Sequence, residues 1–165
     1  MKAIVYTSNS GHTKQYAEIL GSKTGYEVCE LNEARKLLPA GSEVIYMGWL
    51  MAGVVKGYAK ARKRFNIKAV CAVGMTRGSQ TAQIKNTSGI PAETPVFYLQ
   101  GGLEINRLHG LYKMMMNFMG RNTLKNLKAK KTLTSDEAEM KNLFEKGASL
   151  VSAERLDEVI AWING

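Results

Sequence analysis

The sequence predicts an α/β fold, a single domain over residues 1–165 built on a doubly wound sheet of five parallel strands in the order 2-1-3-4-5. Short apolar segments rich in β-branched or aromatic residues alternate along the chain with segments of helical periodicity. The third and fourth of these apolar segments have apolar side chains on both faces, as parallel strands covered by helices do. A chain of 165 residues that is 45% hydrophobic also suits one compact domain with a sizeable core.

The predicted elements follow in chain order. Strands are predicted at residues 2–6, 26–30, 43–48, 69–74 and 95–100, and helical patterns occupy residues 13–23, 54–65, 79–85 and 107–126. Two further helices end the chain. Thr134 and Glu137 form a possible capping box for the first, which Gly147 ends. Ser152 caps the second, whose apolar stripe is typical of a helix packed on a sheet.

A loop rich in hydroxyl groups follows the first predicted strand, directly before the first helix. It consists of Thr7, Ser8, Asn9, Ser10, Gly11, His12 and Thr13. Hydroxyls and backbone N–H groups at a helix N-terminus bind a phosphate without a formal positive charge, and Gly11 lets the backbone approach it closely. The alternative is an ordinary turn whose Ser or Thr caps the helix. His12 is expected to be positioned by the backbone, or to bring its imidazolium close to the phosphate at low pH. The sequence has neither G-x-x-x-x-G-K-[S/T] nor G-x-G-x-x-G, which disfavours ATP and NAD.

The loop resembles the phosphate loop of flavodoxins, [S/T]-x-T-G-x-T, with residues 8–13 in register and Ser10 in place of the usual Thr. With the order of the elements, the resemblance covers about residues 1–104 and the final helix. It implies that the cofactor is FMN, bound by its phosphate on the loop from Thr7 to Thr13.

In flavodoxins, the loops after the third and fourth strands hold the isoalloxazine ring. The residues of this chain that match those loops are Trp49, Leu50, Met51, Ala52 and Gly53 in the second loop, and Gly74, Met75, Thr76, Arg77 and Gly78 in the third. Trp49 is suited to cover one face of the flavin, or else packs against the sheet edge. The third loop lacks the Tyr that many flavodoxins place over the other face, so Met75 or backbone is expected there.

The charge distribution departs from that of flavodoxins, which are typically acidic. The chain has a net charge of +9, and residues 44–92 and 105–135 contain 15 of the 23 basic residues and no acidic residue. Such an uneven distribution of charge is informative about binding partners and not about the fold, and it indicates an acidic partner. The alternative is that the cations only keep the protein soluble. The expected partners are a redox partner protein, a quinone or an acidic small-molecule substrate, with peripheral association to an anionic membrane as a further possibility; nucleic acid is not expected.

A basic, Met-rich segment at about residues 103–133 extends the flavodoxin pattern. At about 100° per residue, one apolar stripe is formed by Leu108, Leu111, Tyr112, Met115, Phe118 and Met119. Met114 and Met116 widen it to about 200°, more than a helix docked on a sheet needs. The stripe is either an interface for a membrane or an apolar partner, or a core helix with Met filling an irregular interior.

This segment and the preceding Gly101-Gly102-Leu103 resemble the insertion after the fifth strand in menaquinone-dependent protoporphyrinogen dehydrogenases, a membrane-associated branch of the flavodoxin-like proteins. That resemblance implies transfer of hydride equivalents from a porphyrinogen through FMN to a quinone. Three functions stay open: an FMN-binding electron carrier, such a dehydrogenase, and a flavin-free basic binding module.

Other features of the chain predict a cytoplasmic protein, with peripheral association to the inner membrane face as the alternative. No signal peptide is recognised, and the longest nearly uncharged run, residues 44–55, is shorter than the roughly 20 residues that cross a bilayer. Cys29 and Cys71 are expected to be reduced core thiols. No metal motif and no constellation of acid, base and nucleophile is found, so a flavin would supply the chemistry. His109, beside the apolar stripe, is a boundary residue or a proton donor.

Overall fold

The computed structural model describes residues 3–75 and 81–165. The strands are β1 Ala3–Thr7, β2 Glu27–Glu30, β3 Glu43–Met51, β4 Val54–Val55, β5 Asn66–Gly74, β6 Val96–Gln100, β7 Gly102–Leu103 and β8 Ala148–Ser149. The helices are α1 His12–Thr24, α2 Leu31–Leu37, α3 Tyr58–Ala61, α4 Thr81–Ser88, α5 Gly110–Ala129, α6 Ser135–Lys146 and α7 Asp157–Asn164, with 3₁₀ turns at Ile105–Arg107 and Ala153–Leu156.

The main sheet has six strands: five are parallel, in the order β2-β1-β3-β5-β6, and β4 pairs with β3. Counted along the chain these are strands 2-1-3-4-5, so the predicted fold class is confirmed as flavodoxin-like and doubly wound. Val5 of β1, for example, pairs with Cys29 on one side and Tyr46 on the other. Because the chain order reverses at β1, the crevice beyond the carboxyl ends of β1 and β3 is where this kind of sheet binds ligands.

Two apolar layers enclose the sheet, one on each face. One contains Ile4, Ile45 and Cys71 with residues of α1 and α7. The other contains Val5 and Tyr46 with residues of α2, α3 and α4. Neighbours such as Ile4 and Val5 belong to different layers because side chains alternate across a strand. Both faces of β3 and β5 are therefore buried, as predicted.

The helix α2, which the sequence pattern did not predict, follows β2. The Glu30 carboxylate accepts a hydrogen bond from the backbone N–H of Asn32 at 2.7 Å and so caps α2. Only Leu31 and Ala34 of α2 are buried. Two apolar positions are too few to produce a recognisable helical period.

The prediction of a single helix over residues 54–65 is wrong, since the structure has the strand β4 and the short helix α3 there. β3 turns back on itself through Ala52 and Gly53, which have φ of 50° and 78°, and pairs antiparallel with β4. Gly57 then adopts φ 82°, and α3 has only four residues. A Cβ on Gly57 would overlap the Tyr46 hydroxyl, which donates at 2.7 Å to the carbonyl of Lys56. The overlap explains why position 57 is a glycine, and its positive φ interrupts any helix before α3.

The segment after β6 forms an α-helical hairpin, α5 and α6, whose ends are joined by the antiparallel pair β7 and β8. Its own core contains Leu103, Leu108, Met116 and Leu143. The predicted helix at 107–126 begins later than expected, because residues 105–107 form a 3₁₀ turn.

The predicted capping box at the start of α6 is confirmed: Thr134 Oγ1 accepts from the N–H of Glu137, whose carboxylate accepts from the N–H of Thr134. Ser152 does not cap α7 directly, since a 3₁₀ turn separates them, but Leu156 and Val159 are buried as expected. Among the helices of the described residues, none has the length and hydropathy to cross a membrane.

Candidate functional site

An open cleft lies at the carboxyl ends of the parallel strands. It is lined by Asn9, Ser10, His12, Thr13, Trp49, Leu50, Val73, Gly74, Met75, Gly101, Gly102, Leu103, Leu108 and Tyr112. Eight of these fourteen residues belong to the loops predicted from the sequence. The cleft therefore brings together residues from all three predicted loops and from the helical hairpin.

The first loop presents the N-terminus of α1 to this cleft. Gly11, with φ 97°, is the N-cap, and no side-chain hydrogen bond caps the helix. The Gly11 N–H donates to Ser8 Oγ at 3.1 Å, which closes the loop on itself. The first N–H groups of α1 thus have no side-chain cap, and the positive end of the helix dipole favours an anion there.

Thr7, at the start of the first loop, has a structural role. Its hydroxyl donates to the carbonyl of Lys56 at 2.8 Å and lies 3.1 Å from the Tyr46 hydroxyl. Burial raises the pKa of Tyr46, so the phenol stays protonated and donates to the same carbonyl. Thr7, Ser8 and Gly11 do not line the cleft.

His12 is held by side chains, not by the backbone alone. Its side chain is 4% exposed, and its Nδ1 lies 2.9 Å from Ser10 Oγ. Its Nε2 donates to the Glu104 carboxylate at 2.8 Å. Glu104 also accepts from Arg107 Nη1 at 3.1 Å. A chain of polar contacts therefore links the predicted phosphate loop to the segment that follows β7.

Of the second loop, Trp49 and Leu50 line the cleft. Met51, Ala52 and Gly53 lie at the tip of the β3–β4 hairpin, where Met51 pairs with Val54, and they are not among the lining residues. Trp49 packs against Tyr112 of α5, with ring centroids 4.7 Å apart and planes inclined at 57°. Burial raises the pKa of Tyr112, so its phenol is neutral beside Trp49.

Of the third loop, Gly74 and Met75 line the cleft, and Thr76, Arg77 and Gly78 lie outside the described residues. The Met75 carbonyl accepts from Gln100 Nε2 at 3.3 Å. The same amide donates to Glu139 of α6 at 3.0 Å. The end of β6 is thereby tied both to the third loop and to the helical hairpin.

Six lining residues were not predicted: Val73, Gly101, Gly102, Leu103, Leu108 and Tyr112. A sequence signal existed for the glycines, because two glycines directly after a strand indicate close backbone approach. A Cβ on Gly101 would lie 2.8 Å from Val73 and 3.0 Å from His12. Leu108 and Tyr112 belong to the predicted apolar stripe, but nothing in the stripe distinguishes residues that face the cleft.

The apolar stripe of α5 is divided between two opposite faces. Met116 is 3% exposed and packs in the hairpin core, whereas Leu111, Met114 and Phe118 are 83%, 68% and 69% exposed. Met115 and Met119 are also exposed. The inward side of this helix therefore belongs to the core, as one interpretation of the stripe expects. The outward side is exposed and is the side to which the interface interpretation applies.

The positive charge of the hairpin is partly neutralised by α6. Lys128 pairs with Glu145 at 3.1 Å and Lys130 pairs with Glu137, and these hydrogen bonds hold the pKa of each carboxyl below its usual range. Arg121 and Lys125 are exposed on α5. They take no part in the ion pairs seen within residues 3–75 and 81–165.

Neither cysteine reaches the cleft, since Cys29 and Cys71 are both free and buried. Burial raises the pKa of Cys29 to about 11 and that of Cys71 to about 12, so both are protonated at neutral pH. Over the described parts of the chain, no group of three or more His, Cys, Asp or Glu residues is placed to hold a metal ion.

Comparison of the chain with models of known protein families gives no match, and comparison with curated proteins gives none either. Any functional assignment consequently rests on the fold and on the residues of the cleft.

Proposed function

We propose that this chain binds FMN in the cleft and functions as a redox protein that passes electrons or hydride equivalents through the flavin. The observation that carries the proposal is the convergence of the uncapped N-terminus of α1, Trp49 and Met75 on one cleft. The cleft lies at the point where a doubly wound sheet reverses its strand order, the usual ligand position of this architecture.

The donors of the first loop fit a phosphate monoester. The N–H groups of the first turn of α1 offer backbone donors, and Ser10 and Thr13 add hydroxyls at the cleft. Gly11 has no side chain to block the approach, and its φ of 97° disfavours any other residue. The donor set is neutral apart from the helix dipole, so a nearby cation would strengthen the binding of a phosphate dianion.

The remaining lining residues fit a flat aromatic ring. Trp49 and Tyr112 offer aromatic surface, and Leu50, Leu103 and Leu108 offer apolar surface. FMN, when bound, supplies one- and two-electron redox chemistry that these side chains lack. The protein's part is to orient the ring, exclude water from one side of it and fix the electrostatic potential around it.

The visible spectrum of the purified protein, followed by titration with FMN, tests this proposal. In a Ser10→Ala/Thr13→Ala variant, affinity for FMN should fall at least a hundredfold, because two donors to a charged acceptor are lost. A Ser22→Ala/Thr24→Ala variant is the matched control, since it removes two hydroxyls from the opposite end of α1. A wild-type chain that stays colourless and binds no FMN would favour the flavin-free binding module.

A second candidate, the quinone-linked porphyrinogen dehydrogenase, is favoured by one observation. The helical hairpin forms a wall of the cleft through Leu103, Leu108 and Tyr112, so a substrate at the flavin would contact it. An electron carrier has no need of such a wall. Porphyrin fluorescence that develops without oxygen, and only when FMN-loaded protein, porphyrinogen and a quinone are all present, would support the enzyme. Its absence, with a flavin that cycles normally, would support the carrier.

The outward face of α5 is proposed to contact an anionic lipid surface. Leu111, Met114 and Phe118 form an uncovered apolar patch, and Arg121 and Lys125 continue the same side of the helix at spacings of three and four residues. Apolar side chains beside exposed cations are the pattern of a helix that lies in the membrane interface. An acidic redox partner protein is the competing occupant of this face.

A further inference from the structure

We infer that Arg107, supplied by the segment after β7, is a direct ligand of the flavin phosphate and selects phosphorylated over unphosphorylated flavin. This inference rests on the proposed FMN site and adds to it a residue that lies outside all three loops of the flavodoxin pattern.

The guanidinium of Arg107 lies directly over the first loop. A Cβ built on Gly11 would be 3.0 Å from Arg107 Nη2, so the cation is at contact distance from the N-cap of α1. Two positive groups therefore face one another, the guanidinium and the N-terminal end of the helix dipole. A phosphate bound at the helix end would meet this cation, which provides the charge balance that the loop itself lacks.

A single carboxylate holds Arg107 in this position. Glu104 Oε2 accepts from Arg107 Nη1 at 3.1 Å and from His12 Nε2 at 2.8 Å. Because His12 is almost completely buried in the first turn of α1, Glu104 has a fixed anchor on the phosphate loop. The ion pair uses Nη1 of Arg107, and it is Nη2 that lies nearest Gly11.

The competing explanation is that Arg107 and Glu104 are a surface ion pair of adjacent turns, with side chains 49% and 28% exposed. Such pairs contribute little to stability. The two explanations make different predictions. Only an Arg107 that binds the flavin phosphate would contribute to the affinity for FMN and not to that for riboflavin.

The test is titration of the full chain with FMN and, separately, with riboflavin, for wild type and Arg107→Gln. The variant should bind FMN about ten- to a hundredfold more weakly, the loss of one charge-assisted hydrogen bond, with riboflavin affinity changed less than twofold. Arg107→Lys should recover part of the loss, since it keeps the charge but not the planar fork. Arg121→Gln, which removes an exposed cation from the same hairpin, should change neither affinity.

The outcomes separate this inference from the proposed function. Equal FMN affinity in wild type and Arg107→Gln would overturn the role of Arg107 while leaving the FMN site in place. An equal loss for both flavins, with a lowered urea midpoint, would also overturn it and assign Arg107 a structural role. A wild type that binds neither flavin would overturn the FMN site and this inference together.

Discussion

Tyr112 of α5 packs against Trp49 at the end of β3, with ring centroids 4.7 Å apart and planes inclined at 57°. The two residues are 63 positions apart in sequence, one in the central sheet and the other in the helical hairpin. Their contact joins the hairpin to the sheet at the cleft itself. Tyr112 therefore brings an aromatic ring of the hairpin to the cleft.

Trp49→Ala should weaken FMN binding about tenfold, because aromatic stacking and the apolar area of the indole are both lost. Titration by quenching of flavin fluorescence measures the change. Trp162→Phe is the control, since Trp162 packs on Phe97 within the layer formed by α1 and α7, away from the cleft. Unchanged FMN affinity in Trp49→Ala would remove Trp49 from the flavin's surroundings.

The outward face of α5 gives a prediction about membranes. Replacement of Leu111, Met114 and Phe118 together by Ser should lower the affinity for anionic vesicles at least tenfold, as measured by co-sedimentation. The reason is that burial of each such side chain contributes about 1.5–3 kcal/mol. Binding of the wild type should also decrease as salt is raised, since the contribution of Arg121 and Lys125 is screened.

Met116→Ser is the matched comparison for that variant. Met116 is buried, so its replacement should lower the free energy of unfolding by about 2–5 kcal/mol, whereas the triple variant should unfold at the same urea concentration as wild type. A wild type that binds no vesicles at any salt concentration would contradict the proposed lipid contact and leave an acidic protein partner as the occupant of this face.

Gly120 allows the two helices of the hairpin to approach one another. A Cβ at Gly120 would lie 2.8 Å from Cδ1 of Phe144 in α6. Gly120→Leu should therefore destabilise the protein by about 1–2 kcal/mol, since the strain of overpacking exceeds the gain in helix propensity. Urea unfolding measures this, with Asn122→Leu as an exposed control on the same helix. Equal stability of the two variants would show that the hairpin is not closely packed at Gly120.

Cys71 should make the fold sensitive to alkaline pH. Burial raises its pKa to about 12, whereas the unfolded thiol ionises near pH 8.5–9. The contribution of the protonated thiol to the free energy of unfolding is therefore complete below pH 8 and is lost as pH rises toward 12. Between pH 7 and pH 10 the free energy of unfolding should fall by about 1.5–2 kcal/mol on account of this thiol. Cys71→Ala should lower stability at pH 7 but show a correspondingly smaller decrease on going to pH 10. An equal decrease in the free energy of unfolding between pH 7 and pH 10 in both proteins would argue against a protonated, buried Cys71.

The strands and the first loop could be predicted from sequence because their signals are local. β1, β3 and β5 are marked by runs of apolar residues, and the loop after β1 by hydroxyls and a glycine directly before a helical period. The helix predicted at residues 54–65 failed for a non-local reason: the backbone at Gly57 is fixed by packing against Tyr46, eleven residues earlier. The short helix α2 was not predicted because two buried positions do not define a helical period.

By itself, the sequence determined the doubly wound order of strands, the hydroxyl-rich loop at the start of α1 and the existence of a Met-rich helix after the last parallel strand. Only the tertiary structure decided which side of that helix is buried, because the choice depends on where Gly120 meets Phe144. It also decided that His12, Glu104 and Arg107 form one cluster, although 92 residues separate His12 from Glu104. Periodicity shows which residues of one element share a face, whereas contacts between polar side chains of distant elements leave no period in the sequence.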